Sequence, residues 1–210
     1  MSVAYSKNIF INCPFDDEYK DIFLGVLFTT IYLRYTPRLA LECADSGQIR
    51  INKIQTLITE SKFGIHDLSR MVSSEEGEYF RMNMPFELGI DYACQNIFPD
   101  KFPCKKILIL DSERYRYQKA ISDLSGCDIK EHHNDVSKAI IAVRNWLVNV
   151  DLKRAISGEG IWSQYNFFQA YLYEEVVVTD GHLSVDNVQI SEIMHHMDNW
   201  VNKIQHTKVL

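Results

Sequence analysis

The chain has 210 residues, of which 46% are hydrophobic and 24% charged, and its formal net charge is -6. This length suits one domain, or one domain with an appendage, and the composition is ordinary for a globular protein. The acidic balance argues against the phosphate backbone of nucleic acid as the main partner. The most apolar run, residues 23–33, is too short to span a bilayer, so we expect no membrane association.

The N-terminus has no basic segment followed by an apolar one, so we expect no signal peptide. Five cysteines, at positions 13, 43, 94, 104 and 127, show no CxxC spacing. An odd number of widely spaced cysteines is typical of reduced side chains in a cytoplasmic protein. Cys104, Cys127, His132 and His133 match no standard zinc spacing, so we predict neither a metal site nor a cofactor.

Strand-like and helix-like segments alternate along roughly the first 150 residues. Strands are predicted at 9–11, 36–43, 62–69, 105–111 and 128–133, and helices at 18–33, 50–61, 83–95 and 135–150. The run at 105–111 is continuously apolar between charges, as expected for a strand covered on both faces. This alternation predicts an α/β fold with a doubly wound parallel sheet.

The pattern changes after residues 157–160. Residues 161–178 are rich in aromatic side chains, and a helical stripe follows that contains Ile190, Ile193, Met194, Met197, Trp200, Val201 and Ile204. We therefore divide the chain into an α/β domain at 1–152 and a helical extension at 153–210. The extension is expected to pack on the sheet domain or on a second subunit.

Candidate ligand-binding residues follow the predicted strands, because open parallel sheets bind ligands outside the carboxyl ends of their strands. The residues selected in this way are Asn12, Cys13, Pro14, Phe15, Asp45, Ser46, Arg50, Asp67, Ser69, Arg70 and Asn83. We predict that they converge on one rim. Carboxylates, guanidiniums and small hydroxyls there suit a sugar or a phosphate better than an apolar ligand.

Glu87 is the main candidate for catalysis. In the segment "PFELG" it follows Pro85 near a helix start, where an acid also has a plain structural role worth about 0.3–1 kcal/mol. Gly89 costs about 1 kcal/mol of helix propensity relative to Ala, which indicates a close approach to a neighbouring strand. We expect Phe86, Leu88 and Gly89 to pack under the sheet while Glu87 points along the rim.

Five other residues have two interpretations each. Asp67 either caps the loop after its strand or hydrogen-bonds a ribose hydroxyl or a leaving base. Arg50 and Arg70 either hold phosphate groups or pair with nearby acids. His66 has the period of a buried strand, which favours a core histidine over a functional one. Cys13 could be a nucleophile, but the sequence offers it no obvious base.

Four segments carry a resemblance to a known family: "IFINCPF", "GIHDLS", "MPFELGIDYAC" and "KKILIL". Together they resemble the nucleoside 2-deoxyribosyltransferase-like superfamily, whose flavodoxin-like fold is close to that of Toll/interleukin-1 receptor (TIR) domains. The resemblance covers roughly the first 125 residues. It implies a three-layer fold around a parallel five-stranded sheet, followed here by the C-terminal helical extension.

The resemblance also implies residue roles. Glu87 matches the catalytic nucleophile, Pro14 and Phe15 match the first loop, and Asp67 matches an Asp that holds the sugar. Phe10 stands where the transferases have a Tyr that hydrogen-bonds the catalytic Glu, and "RMNMP" replaces their turn before the helix. These departures weaken deoxyribosyl transfer more than a TIR-like reaction on NAD.

The expected function is cleavage or exchange of the N-glycosidic bond of a nucleotide. NAD is the leading substrate, and the resemblance implies a role as an effector or signal-producing enzyme in bacterial antiphage defence. Two alternatives remain open: a nucleotide sensor without catalysis that signals through the C-terminal helices, and a nucleoside deoxyribosyltransferase proper. We also expect a homo-oligomer, or a partner protein that binds through those helices.

Overall fold

The computed structural model of the protein describes residues 3–41, 47–73, 76–77, 79 and 82–207. Within these ranges five strands form one parallel sheet in the order β2-β1-β3-β4-β5. Their bounds are β1 Asn8–Asn12, β2 Thr36–Arg38, β3 Phe63–Asp67, β4 Lys106–Asp111 and β5 Lys130–Glu131. This strand order is that of flavodoxin-like doubly wound sheets, so the predicted fold class is confirmed.

Seven α-helices accompany the strands in the described part of the chain. They are α1 Val3–Lys7, α2 Lys20–Tyr32, α3 Arg50–Thr59, α4 Asn83–Asn96, α5 Val136–Leu147, α6 Gly158–Tyr173 and α7 Ile190–Thr207. The Asp135 side chain caps α5 by accepting hydrogen bonds from the backbone N–H groups of Ser137 and Lys138, as its position before the helix predicts. No helix in the described ranges is long and apolar enough to cross a membrane.

The strand β2 is shorter than predicted. It ends at Arg38, whereas the sequence pattern predicts a strand over 36–43. β2 is an edge strand that pairs only with β1, and this pairing stops at Arg38 and Phe10 although β1 continues to Asn12. Residues 42–43 lie outside the described ranges.

Side chains alternate between the two faces of the sheet and thereby define three layers. On one face, the central strands contribute to a core shared with α2, α5, α6 and α7, through Ile9, Ile11, Phe63, Ile65, Leu108 and Leu110. On the other face, Phe10 packs with α3 residues, and Ile109 packs with α4 residues. Glu87 therefore belongs to the layer formed by α3 and α4, opposite the C-terminal helices.

The C-terminal helices pack on the sheet domain. The rings of Phe28 in α2 and Phe168 in α6 are stacked with their centroids 5.3 Å apart. Ile193, Met197 and Val201 of the predicted α7 stripe are fully buried in the same core, which confirms the stripe. Of the two predicted locations for the extension, the structure shows packing on the sheet domain.

Candidate functional site

The candidate site lies at the carboxyl ends of β1 and β3, which are neighbours in the sheet. β1 leads to α2 on one face, and β3 leads to α4 on the other, so the chain leaves the sheet in opposite directions there. Such a switch point opens the crevice in which doubly wound folds bind ligands. Asn12 and His66 are paired in register at this edge.

Glu87 lies one turn inside α4, and only 3% of the residue is exposed. Its Oε1 atom is 3.5 Å from Nη2 of Arg50, the first residue of α3, whose side chain is 54% exposed. Burial raises the pKa of Glu87 to about 6, while the nearby Arg50 cation lowers it. The carboxylate is thus mainly ionised at neutral pH but holds a proton more readily than an exposed Glu.

The neighbours of Glu87 on α4 lie differently from the prediction. Leu88 is buried, but Phe86 and Gly89 are exposed, so the prediction that they pack under the sheet is wrong. The inward face of α4 is set by Met84, Leu88 and Asp91, and helical geometry then directs positions 86 and 89 outward. Gly89 consequently approaches no strand: a Cβ there would meet no described atom within 4 Å.

Asn12 joins the end of β1 to the first turn of α4. Its Nδ2 donates to the carbonyl oxygen of Met84 at 2.9 Å and lies 3.0 Å from Nδ1 of His66. The sequence predicts Asn12 as a ligand-binding residue, but its amide nitrogen contacts these two protein partners. Its buried Oδ1 has no hydrogen-bond partner among the described residues. Asn12 therefore helps to hold α4, the helix that carries Glu87, in its position against β1.

A fully buried polar chain continues from Asn12 across the α4 side of the sheet. His66 Nδ1 faces the amide donor of Asn12, so it accepts, and the ring proton is on Nε2. That nitrogen donates to Asp91 Oδ2 at 2.8 Å, and Asp91 Oδ1 is 2.8 Å from the Lys105 ammonium. Lys105 also donates to the carbonyl oxygens of Ile58 and Ser61. His66 is therefore a core histidine, as its strand period predicts.

Gly64 makes room for this chain. An added Cβ on Gly64 would clash with Asp91 Oδ2 and lie 3.0 Å from His66 Nε2. Only a residue without a side chain lets the Asp91 carboxylate lie over β3 at this point. The close approach of α4 to a strand that the sequence predicts at Gly89 therefore occurs through Gly64 and Asp91.

Asp67, predicted to contact the substrate, is fully buried at the end of β3. Its carboxylate accepts hydrogen bonds from the Tyr19 hydroxyl at 2.6 Å, the Ser69 backbone N–H at 2.8 Å and His132 Nε2 at 2.9 Å. Burial by itself raises the pKa of Asp67, but the hydrogen bonds from His132, Ser69 and Tyr19 outweigh it and lower the pKa below its usual value. Asp67 thus holds three segments of the rim together.

Ser69 and His132 do not form a nucleophilic pair in this arrangement. Ser69 Oγ lies 2.9 Å from His132 Nε2, the same nitrogen that contacts Asp67. His132 Nδ1 accepts the backbone N–H of Asn134 at 3.1 Å, so the proton resides on Nε2. In a Ser-His-Asp triad the serine and the aspartate contact opposite ring nitrogens, which leaves a free base for the serine. Here His132 has no free ring nitrogen that could accept the Ser69 proton.

Two arginines tie the loops of the rim together. Arg70 binds Asp16 through two contacts, at 2.8 and 3.3 Å, and Glu18 at 2.6 Å. Of the two interpretations of Arg70, pairing with nearby acids is therefore the one observed. Arg116 donates to the Ser69 carbonyl oxygen at 2.7 Å and also contacts the buried Asp111 carboxylate.

Beside these pairs lies a polar cavity of about 300 Å³, a volume at the lower limit of small-molecule pockets.

The loop after β1 is packed against the protein. Cys13 is buried, and burial raises its pKa well above the usual value, with further increases from the charges of Asp67, Asp16 and Glu87. The thiol is therefore protonated, which removes the support for Cys13 as a nucleophile. Pro14 is buried, and Phe15 contacts Phe23 edge to face with ring centroids 5.2 Å apart.

The predicted residues thus form two groups at one edge of the sheet. Glu87, Arg50 and Asn12 lie on the α3–α4 side, while Asp67 and Ser69 form the second group with Tyr19 and His132. Asn83 is exposed at the start of α4, and the predicted Asp45 and Ser46 lie outside the described residues.

The sequence pattern did not indicate Tyr19, Arg116 or the pairing of Asp91 with Lys105. His132 directly follows β5, so the rule that selects residues after strands would have found it there. Tyr19, by contrast, lies at a helix start and offers no pattern that distinguishes it from a packing residue.

Comparisons with protein-family models, with curated proteins and with solved structures give no match. The resemblance to the nucleoside 2-deoxyribosyltransferase-like superfamily therefore stays a prediction. Among the residues that the structure describes, no group of three or more His, Cys, Asp or Glu side chains is arranged to hold a metal ion.

Proposed function

We propose that the protein cleaves, or transfers a group at, the N-glycosidic bond of a nucleotide, and that Glu87 is the reacting carboxylate. NAD is the first substrate to test. The observation that carries this proposal is a nearly buried carboxylate beside an exposed guanidinium, Arg50, at the switch point of a parallel sheet. Perturbed carboxylates in such crevices are candidates for catalysis.

The chemistry suits an ionised carboxylate. When the bond between the sugar and the base breaks, the base leaves with the electron pair and positive charge develops at the anomeric carbon. Glu87 can stabilise that charge or form an ester with the carbon, and water or an acceptor base then completes the reaction. Because Glu87 is shielded from water, its electrostatic effect on the developing charge is stronger than that of a surface acid.

Arg50 can contribute to substrate binding in this proposal. A guanidinium has five N–H donors, and the contact with Glu87 uses one edge of the group. Since more than half of the Arg50 side chain is exposed, a substrate phosphate can reach it. Asp67 stabilises the rim, because its buried carboxylate accepts hydrogen bonds from Tyr19, Ser69 and His132.

The test is base release from a mixture of nucleosides, nucleotides and NAD, followed by mass spectrometry. Glu87→Gln should reduce turnover by about 10²-fold or more, since it removes the negative charge. Glu60→Gln is the matched control, because Glu60 also pairs with an arginine, Arg38, but is exposed. Absence of base release by the wild-type chain, or wild-type turnover in Glu87→Gln, contradicts the proposal.

A second candidate is a nucleotide sensor that binds without turnover. It is favoured by Phe10, which is fully buried and brings no hydroxyl to the α4 side of β1. Calorimetry would then detect nucleotide binding that Arg50→Met weakens, while the nucleotide remains intact. A deoxyribosyltransferase, in contrast, would exchange the base of a deoxynucleoside only when an acceptor base is added.

The biological setting is proposed from the resemblance alone. We place the activity in the bacterial cytoplasm, as an effector or signal-producing enzyme of antiphage defence. Cells that produce the wild-type chain should then resist phage infection better than cells that produce Glu87→Gln at an equal level. Equal plaque numbers for the two would contradict this setting without bearing on the chemistry.

A further inference from the structure

The polar cavity of about 300 Å³ beside the rim arginines lies at the carboxyl ends of three strands. It is lined by residues that follow β3 (Ser69 and Arg70), β4 (Ser112 and Glu113) and β5 (Asn134). Doubly wound folds bind their ligands outside this edge of the sheet. The cavity is therefore a candidate binding site in its own right.

The cavity and Glu87 lie on opposite faces of the sheet. Successive side chains of a strand project to opposite faces. His66 projects toward α4, where it meets Asp91. The next residue, Asp67, therefore projects toward α2, where it meets Tyr19. Tyr19 lines the cavity, whereas Glu87 lies on α4, so the edge of the sheet separates a ligand in the cavity from Glu87.

Two buried serine hydroxyls that line the cavity have no acceptor for their hydrogen. Ser112 is 4% exposed, and its hydroxyl makes no hydrogen bond to any residue that the structure describes. Ser69 is 9% exposed, and its Oγ accepts from His132 Nε2, 2.9 Å away, because that nitrogen carries the ring proton. The Ser69 hydrogen then has no acceptor within the described ranges. Because buried polar groups are normally paired, these hydroxyls indicate a ligand with acceptor atoms.

The two arginines that line the cavity are already paired with acids. Arg70 contacts Asp16 and Glu18. Arg116 contacts the buried Asp111. A phosphate binds most strongly to a guanidinium that has no other carboxylate partner. The cavity therefore favours a neutral ligand over an anion.

The cavity offers acceptors as well as donors. Glu113 is exposed, and its carboxylate makes no ion pair or hydrogen bond with the described part of the chain. The Asn134 side-chain amide can both donate and accept. A ligand hydroxyl has the same double capacity, since it can accept from a serine and donate to a carboxylate. A volume near the lower limit of ligand pockets suits a single ring that carries several hydroxyls.

Backbone contacts hold the two serines in place. Arg116 donates to the carbonyl oxygen of Ser69 at 2.7 Å and so ties the segment after β3 to the one after β4. The backbone N–H of His133 donates to the carbonyl oxygen of Ser112 at 3.1 Å and ties the segment after β4 to the one after β5. A site whose donors are held in position loses less conformational entropy when a ligand binds.

We propose that this cavity binds a sugar ring, as a free pentose or as the ribose of a nucleoside, through the hydroxyls of Ser69 and Ser112 and the carboxylate of Glu113. The ring hydroxyls accept from the two serines and donate to the glutamate. This binding site goes beyond the proposed reaction at Glu87 and does not rest on it.

Saturation-transfer NMR of the full chain tests the proposal, with D-ribose, adenosine and adenine as probes. The ring protons of ribose should receive saturation, and inorganic phosphate should not displace the sugar. Saturation in free ribose alone identifies a free pentose as the ligand. Saturation of the ribose protons in adenosine alone identifies a nucleoside.

Ser112→Ala is the decisive variant, because the hydroxyl that it removes makes no hydrogen bond to the described residues and the fold should tolerate its loss. It should weaken the affinity for the sugar about 3- to 10-fold, as expected for one neutral hydrogen bond. Ser125→Ala is the matched control, since Ser125 is exposed and its hydroxyl is also unpaired within the described ranges. Glu87→Gln should bind the sugar as the wild type does, even where it loses base release.

Four results would overturn the proposal. They are no saturation of sugar protons at millimolar ligand, saturation confined to adenine, displacement of the sugar by phosphate, and equal affinity in the wild type and Ser112→Ala. Loss of sugar binding in Glu87→Gln would also overturn it, because the ring would then lie at Glu87. Absence of base release alone counts against the proposed reaction and leaves the sugar site standing.

Discussion

The guanidinium of Arg50 lies 3.5 Å from the carboxylate of Glu87 and joins an exposed charge to a buried one. Burial raises the pKa of Glu87 to about 6, and Arg50 opposes that increase. The protonation of the buried acid therefore depends on a cation that solvent and ligands can reach. A phosphate that binds Arg50 would partly neutralise its positive charge and thereby favour the protonated form of Glu87.

Removal of the Arg50 charge should raise the pKa of Glu87. In Arg50→Met we expect the carboxyl group of Glu87 to titrate above pH 6. Carbon-13 NMR of labelled glutamate measures this titration. If turnover requires ionised Glu87, the acid limb of the pH–rate profile should move to higher pH by the same amount. Arg38→Met, which removes the cation beside the exposed Glu60, is the control and should leave Glu87 unchanged. A Glu87 titration unaltered by Arg50→Met would refute the coupling.

The Glu87 carboxylate should reduce stability above pH 6. Its pKa rises from 4.5 to about 6 on folding, so the native state binds more protons in this interval and stability falls as pH rises through it. Glu87→Gln should therefore increase the free energy of unfolding by about 2 kcal/mol at pH 8, and by much less at pH 4. Urea denaturation at both pH values measures this, with Glu60→Gln as control. An equal effect at pH 4 and pH 8 would contradict the expectation.

Breaking the buried pair of Asp91 and Lys105 should strongly destabilise the fold. Asp91→Asn leaves the fully buried Lys105 ammonium without its counter-charge, which typically costs about 3–5 kcal/mol. The matched substitution Asp198→Asn removes an exposed partner of Arg34, 3.9 Å away, and should cost less than about 1 kcal/mol. Urea unfolding of the two variants at neutral pH compares them. Similarly small losses of unfolding free energy in both variants would show that the buried polar chain contributes little to stability.

The Tyr19 hydroxyl should stabilise the ionised form of Asp67. Tyr19→Phe removes a 2.6 Å hydrogen bond to a fully buried carboxylate, so we expect a loss of about 1–3 kcal/mol at neutral pH. Asp67 has a lowered pKa in the folded state, so its contribution is present above the ordinary value of 3.8 and is lost as pH falls through the folded value.

The deficit of Tyr19→Phe should accordingly shrink under strongly acidic conditions. Thermal unfolding at several pH values follows this trend. Tyr173→Phe, which alters an exposed tyrosine of α6, should have a small effect at every pH. A deficit in Tyr19→Phe that is constant with pH would show that the hydroxyl does not act through the Asp67 charge.

The predictions that the structure confirms rest on short-range patterns. The apolar run of β4, the capping residue Asp135 and the α7 stripe each follow from the properties of consecutive residues. The parallel sheet follows from the alternation of strands and helices, because parallel strands require crossover connections. The rule that ligands bind at the carboxyl ends of parallel strands selected Asn12 and Asp67, whereas Glu87 was selected from its place near the start of the following helix.

The sequence by itself determined the fold class, the edge of the sheet that carries the candidate site and the helical nature of the C-terminus. Tertiary structure alone decided which polar groups meet. Asn12 reaches the carbonyl oxygen of Met84, and Asp91 fits against Gly64 and Lys105, because segments distant along the chain approach at those points. The rotation of α4 buried Glu87 and exposed Phe86. A pattern of residue types shows that a side chain prefers burial or water, but its partner depends on how the layers pack.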